Sequence, residues 1–259
     1  MKKLLFLLFA GLLVTACTDS DDQNGNSDDP NNPGDGSSVL LLLTEEKQNG
    51  YFTYNYEYDE RNRMIIWKLL VGSDLATIYF TYDDNDRLIG LSRKNGQGII
   101  TSEETYYYGN DERPTSGTFS VPGAEDYAVQ IQFVYTQNTV IETHITADGI
   151  IGNVITYTYD SNGNLVSEQN ESANEYSNYL FEFNNFDDKI NWNSKWPFAW
   201  KQSSVNNYQS YKSTTVNGIQ DHIYEYTYND TGYPIQAEIY DSQTDELIAI
   251  REFNYTEAN

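Results

Sequence analysis

Tyr157-Thr158-Tyr159-Asp160-Ser161-Asn162-Gly163-Asn164-Leu165 is the stretch that decides the fold. It reads aromatic-x-Tyr, a short turn of Asp, Asn and Gly, then a polar and an apolar residue. Variants recur along the chain. Tyr56-Glu57-Tyr58-Asp59 precedes Arg63-Met64, and Phe80-Thr81-Tyr82-Asp83 precedes Arg87-Leu88. Tyr106-Tyr107-Tyr108-Gly109 precedes Arg113-Pro114, and Tyr226-Thr227-Tyr228-Asn229 precedes Tyr233-Pro234. Phe133-Val134-Tyr135, Phe181-Glu182-Phe183 and Phe253-Asn254-Tyr255 are weaker copies. The second aromatics are spaced by 24, 26, 27, 24, 24, 45 and 27 residues. A repeating interval of this size marks a repeat architecture, and the one long step marks an insertion of about twenty residues.

Each unit reads as two strands. In Phe52-Thr53-Tyr54-Asn55-Tyr56-Glu57-Tyr58 the aromatics fall at every second residue. Alternate side chains of a strand point to opposite faces, so one face is aromatic and the other is Thr, Asn and Glu. Tyr127, Val129, Ile131, Phe133 and Tyr135 split in the same way from Gln130 and Gln132. An antiparallel sheet with one buried face has this pattern.

The Asp-rich motif turns alternate with a second set: Asn49-Gly50, Gly72-Ser73, Asn95-Gly96, Pro122-Gly123, Asp148-Gly149, a polar bend near Ser172, and Asn217-Gly218. Asn-Gly and Asp-Gly favour tight hairpins because they tolerate positive φ. Strict alternation predicts an up-and-down meander of sixteen strands between Val39 and Thr256, with each kind of turn at its own end. By parity the insertion, residues 189–207, leaves and returns at the motif-turn end, as a flap or short helix. The expected fold is all-β: an antiparallel barrel-like sheet.

Met1-Lys2-Lys3 and the apolar Leu4–Leu13 read as a secretory signal, residues 1–16. Val14-Thr15-Ala16-Cys17 follows, and resembles the lipobox of bacterial lipoproteins. That resemblance implies lipidation of Cys17, the only cysteine in the chain. Residues 17–38 are rich in Asp, Asn, Ser, Gly and Pro, a composition expected to form a disordered tether. Asp19-Ser20-Asp21-Asp22 resembles the export signal that carries Bacteroidetes lipoproteins to the outer face of the outer membrane. The expected partner is therefore outer-membrane lipid held through Cys17, with the protein exposed at the cell surface; a periplasm-facing position is the alternative.

The repeats resemble the tyrosine-aspartate hairpins of Rhs-type and teneurin-like proteins. A nearer likeness is to Bacteroidetes lipoproteins that form a domain of unknown function with a porin-like fold. Asp187-Asp188-Lys189-Ile190-Asn191 and Trp196-Pro197-Phe198 carry that likeness, with Trp where those proteins have Asn before the Pro. It covers residues 39–259, implies a barrel-like sheet, and implies no activity.

Without Lys2 and Lys3 the chain has 13 basic and 39 acidic residues, a net charge of −26. Phosphate repulsion argues against nucleic acid. The nucleotide-loop, nucleophile-elbow and zinc-protease motifs are missing from the sequence. His144 and His222 read as exposed strand residues rather than general bases. With 39 acidic residues any carboxylate pair can be chosen, so pairing points to no hydrolase. The Asp-rich motif turns could supply oxygens to calcium, but turn chemistry alone explains them. The reading is non-catalytic and calls for no cofactor. Trp192, Trp196, Phe198 and Trp200 cluster inside the insertion. They read either as a stacking platform for a glycan or other small ligand, or as a cap on the barrel mouth. The functional expectation is a surface-tethered ligand-binding module; the alternatives are a structural or assembly component of the envelope and a hydrolase.

Overall fold

The computed structural model describes residues 39–71, 74–124, 128–192, 195–202 and 204–259. The signal segment, Cys17, the acidic tether and the Gly72-Ser73 turn lie outside them. Sixteen strands follow in order: β1 (Leu41–Gln48), β2 (Phe52–Tyr58), β3 (Met64–Val71), β4 (Asp74–Tyr82), β5 (Leu88–Asn95), β6 (Ile100–Tyr107), β7 (Ser116–Ser120), β8 (Val129–Tyr135), β9 (Thr139–Thr146), β10 (Ile151–Tyr159), β11 (Leu165–Ser172), β12 (Tyr179–Phe186), β13 (Tyr208–Thr215), β14 (Gly218–Tyr228), β15 (Pro234–Asp241) and β16 (Leu247–Glu257). Each pairs antiparallel with the next, and β16 pairs with β1, which closes the barrel.

The motif has a specific mechanical reason. Asp59 Oδ1 accepts from the N–H of Arg61 and Arg63, both at 3.0 Å. Asp83 takes the N–H of Asn85 and Arg87, and Asp160 those of Asn162 and Asn164. The fourth residue of each turn needs a left-handed backbone: Asn62 (φ 61°), Asp86 (φ 64°) and Gly163 (φ 83°) supply it. The Arg that follows closes on the same carboxylate, with Arg87 Nε 2.8 Å from Asp83 Oδ2. These oxygens are engaged by the turn itself.

Motifs are also stitched to one another. Tyr82 donates its hydroxyl to the Met64 carbonyl at 2.7 Å, while the Arg63 guanidinium lies 4.8 Å over the Tyr82 ring. Tyr108 repeats this with Leu88 and Arg87, and Tyr135 with Pro114 and Arg113. The second Tyr of one unit therefore grips the carbonyl just past the Arg of the previous unit. A one-residue bulge sets that Tyr, between Glu57 and Tyr58 and again at Thr81/Tyr82, Thr158/Tyr159 and Thr227/Tyr228.

The aromatic rows face inward. Tyr56, Tyr106, Tyr157, Tyr224 and Phe183 are buried. Outward positions such as Glu57, Gln130, Gln132, Gln169, Glu225 and Glu252 are exposed. Exposed apolar residues such as Tyr107, Val134, Ile223 and Ile235 lie among them on the outer wall. Gly117 is the most closely approached of the described glycines: a Cβ there would lie 2.7 Å from the Thr105 carbonyl oxygen and 3.2 Å from the Tyr106 ring. Gly117→Ala should therefore cost about 1–3 kcal/mol by overpacking. A urea titration with an unchanged midpoint would refute this.

Candidate functional site

The insertion joins β12 to β13 at the motif-turn end, as parity requires. It turns inward instead of lying over the top, and its described residues form turns without a helix. Buried asparagines hold its neck. Asn207 Nδ2 donates to Asp187 Oδ2 at 3.1 Å and to the Ile190 carbonyl at 2.9 Å, while its Oδ1 accepts from Trp192 N at 2.9 Å. Asn191 donates to the Asn206 carbonyl, and Ser204 accepts from Leu165 N.

From that neck the rings enter the lumen. Trp196 meets Trp67 edge-on at 5.1 Å and Phe80 at 6.5 Å. Phe198 meets Phe80 at 6.0 Å, Trp200 meets Tyr106 at 5.1 Å, and Trp192 stacks on Phe253 at 5.6 Å. All four side chains of the predicted cluster are buried. They form a plug inside the motif-turn end of the barrel, and two of them, Trp192 and Phe198, line open space within the lumen. Burial leaves no exposed platform at the outer surface; any contact with a ligand comes from inside.

Above the plug the lumen stays open as two chambers. The larger, about 390 Å³, reaches from Trp192 to the rim residues Gln48, Phe52, Thr215, Gln220 and Ile248. The smaller, about 200 Å³, has Phe198, Lys201 and Gln202 of the plug among its walls. Trp67 and Phe181 line both. Aromatic rings form a large part of the walls of the larger chamber, while the smaller one mixes aliphatic and aromatic residues with several charged groups; concave sites of this kind suit small ligands.

The smaller chamber holds a dense polar cluster. Glu142 accepts from Lys201 Nζ at 2.8 Å and from Tyr157 at 3.3 Å, and lies 2.8 Å from His144 Nε2. Burial alone would raise the Glu142 pKa, but the Lys201 charge and the bonds from His144 and Lys201 outweigh it and bring it to about 2. Glu168 accepts from Tyr179 at 2.7 Å and Gln202 at 3.3 Å, and burial wins there, so its pKa is raised. Glu104 accepts from Tyr106 at 2.5 Å.

Among the described residues the larger chamber has one ion pair. Arg251 Nη1 lies 3.5 Å from Glu46 Oε1, and Tyr56 donates to Glu46 at 3.2 Å. Burial raises the Glu46 pKa against the pull of Arg251. Burial works against the Arg251 charge, but Glu46 and the surrounding tyrosines more than restore it. The pair is thus a firmly charged Arg beside a reluctant carboxylate. His222 lines this chamber and burial lowers its pKa.

The expectation that His144 and His222 are exposed strand residues is corrected: both line the lumen. Glu142, Glu168 and Arg251 also line the chambers and were not singled out from the sequence. The signal was available in part, because Arg251 shares the alternation of Phe253 and Tyr255. No periodicity could have placed Lys201, which comes from the irregular plug.

No protein-family model matches this chain, and no curated protein matches it. Among solved structures, a porin-like protein from Bacteroides uniformis is similar at 14% identity and a TM-score of 0.53, over 84% of this chain and 95% of that one. A porin-like protein from Bacteroides vulgatus has 13% identity and a TM-score of 0.45, over 83% and 99%. A TcdB2–TccC3 structure has 11% identity and a TM-score of 0.26, over 77% of this chain and 12% of that one. The first of these likenesses supports a porin-like fold and carries no further meaning.

Proposed function

We propose that this chain is a lipid-anchored, surface-displayed protein that binds a small ligand, a glycan or other nutrient, in its lumen without transforming it. The observation that carries the reading is the aromatic-walled chamber of about 390 Å³, closed below by the plug and reaching the opposite rim. Such a volume accommodates a small ligand, and aromatic faces suit the apolar face of a sugar ring. The lipobox Cys17 supplies the anchor. β1 starts at the plugged end of the barrel. A glycan panel followed by calorimetry on the purified protein tests this. Binding is expected to quench tryptophan fluorescence, because Trp67 and Trp192 line the chamber. Tyr54→Ala should weaken it at least tenfold. Silence across the panel, or turnover of any glycan, would reject the reading.

A second reading is a structural or assembly component of the envelope. It is favoured by the exposed Tyr51, Ile99, Ile150, Val216, Ile219 and Leu247 at the hairpin tips around the rim. Single exposed apolar residues are ordinary, and the reading rests on their falling together at one end of the barrel. Co-purification with an outer-membrane complex, lost when these tips are made polar, would favour it.

A further inference from the structure

The larger chamber contains donors in search of an acceptor. Arg251 is 8% exposed and lines the chamber. Among the described residues its Nε has no partner, and neither does Trp67 Nε1. A guanidinium offers five donors in a rigid fork that fits a carboxylate with two parallel bonds. Glu46 does not fill that role. At 3.5 Å it stands outside the usual 2.7–2.9 Å of a charge-assisted bond, and it also accepts from Tyr56. Glu46 and the neighbouring tyrosines keep Arg251 charged, but the buried Nε–H is left without an acceptor, and an unpaired buried donor is costly.

The surroundings narrow the class. Tyr54, Tyr56 and Tyr224 present ring faces or edges to the same chamber, and Gln48 and Gln220 sit toward its mouth. Flat rings take the apolar face of a sugar, and amides take its hydroxyls. We propose that the larger chamber binds an acidic sugar, a uronate residue, whose carboxylate is received by Arg251. This rests on the reading of the lumen as a ligand site. The chain's net charge of −24 does not forbid it. Exposed charges are screened within about 8–10 Å at physiological salt, whereas a buried contact with Arg251 is screened far less.

The test is calorimetry with uronate oligosaccharides, their methyl esters and neutral counterparts at physiological salt. The acid form should bind at least tenfold more tightly than the ester. Arg251→Met should abolish that preference. Glu46→Gln should strengthen binding of the acid severalfold and leave the ester unchanged, a gain that a merely structural role would not give. Circular dichroism and thermal melts check folding; if Arg251→Met fails to fold, Glu46→Gln decides. Equal binding of acid and ester, or a preference that survives the Arg251 change, overturns the proposal. Binding of neutral glycans alone overturns it but leaves the ligand-binding lumen standing; no binding at all removes both.

Discussion

Trp196→Ala should lower the stability of the fold by about 3–5 kcal/mol, and Trp200→Ala by a similar amount. Trp196 is 2% exposed and sits between Trp67, Phe80 and Phe198. Trp200 is wedged against Tyr106, Tyr108 and Phe133. Removing either ring opens a void that the stiff barrel wall cannot close, and it deletes edge-to-face contacts worth about 0.5–1.5 kcal/mol per pair. Domains are stable by about 5–15 kcal/mol in total, so either change removes a large share. For a chain of this size the melting temperature should fall by roughly 6–20 °C. Calorimetric melts measure this directly. An unchanged melt together with lost glycan binding would show that these rings serve the ligand rather than the fold.

The second large effect is expected at Lys201. Lys201→Met leaves Glu142 buried opposite nothing but His144 and Tyr157, and stranding a buried charge costs about 3–5 kcal/mol. Its pH signature distinguishes it from a packing defect. Glu142 titrates near 2 in the folded protein, below its ordinary 4.5. A depressed carboxylate contributes stability above its unfolded pKa, and that contribution is lost as pH falls toward 2. The gap between wild type and Lys201→Met should therefore be widest near neutral pH and narrow below about 4.5. Glu46, with a raised pKa, contributes in the opposite direction in both proteins and largely cancels in the difference. Adding Glu142→Gln to Lys201→Met should recover much of the loss. A gap independent of pH would show that Lys201 acts through its methylene stem alone.

Much of the barrel could be read from residues alone because its rules are local. Tyr-x-Tyr alternation assigns the inner face, and Asp59, Asp83 and Asp160 write their turns through bonds to the N–H groups two and four residues on. Parity of turns then gives the strand count and the end at which the insertion leaves. The stitch from Tyr82 to Met64 was hidden, although both residues are in the motif, because it crosses between units. The site was less legible. Arg251 could have been placed inward by its phase with Phe253, but the acidic background made any single carboxylate uninformative.

By itself the sequence determined the strands, their inward aromatic face and the alternating turn chemistry, since these depend on φ, ψ and side-chain direction within a few residues. Closure of β16 onto β1, the inward fold of the plug and the pairing of Lys201 with Glu142 were decided only in three dimensions. Those contacts join residues from 59 to more than 200 positions apart. Their formation depends on the circumference of the whole sheet and on filling its interior, which no local pattern encodes.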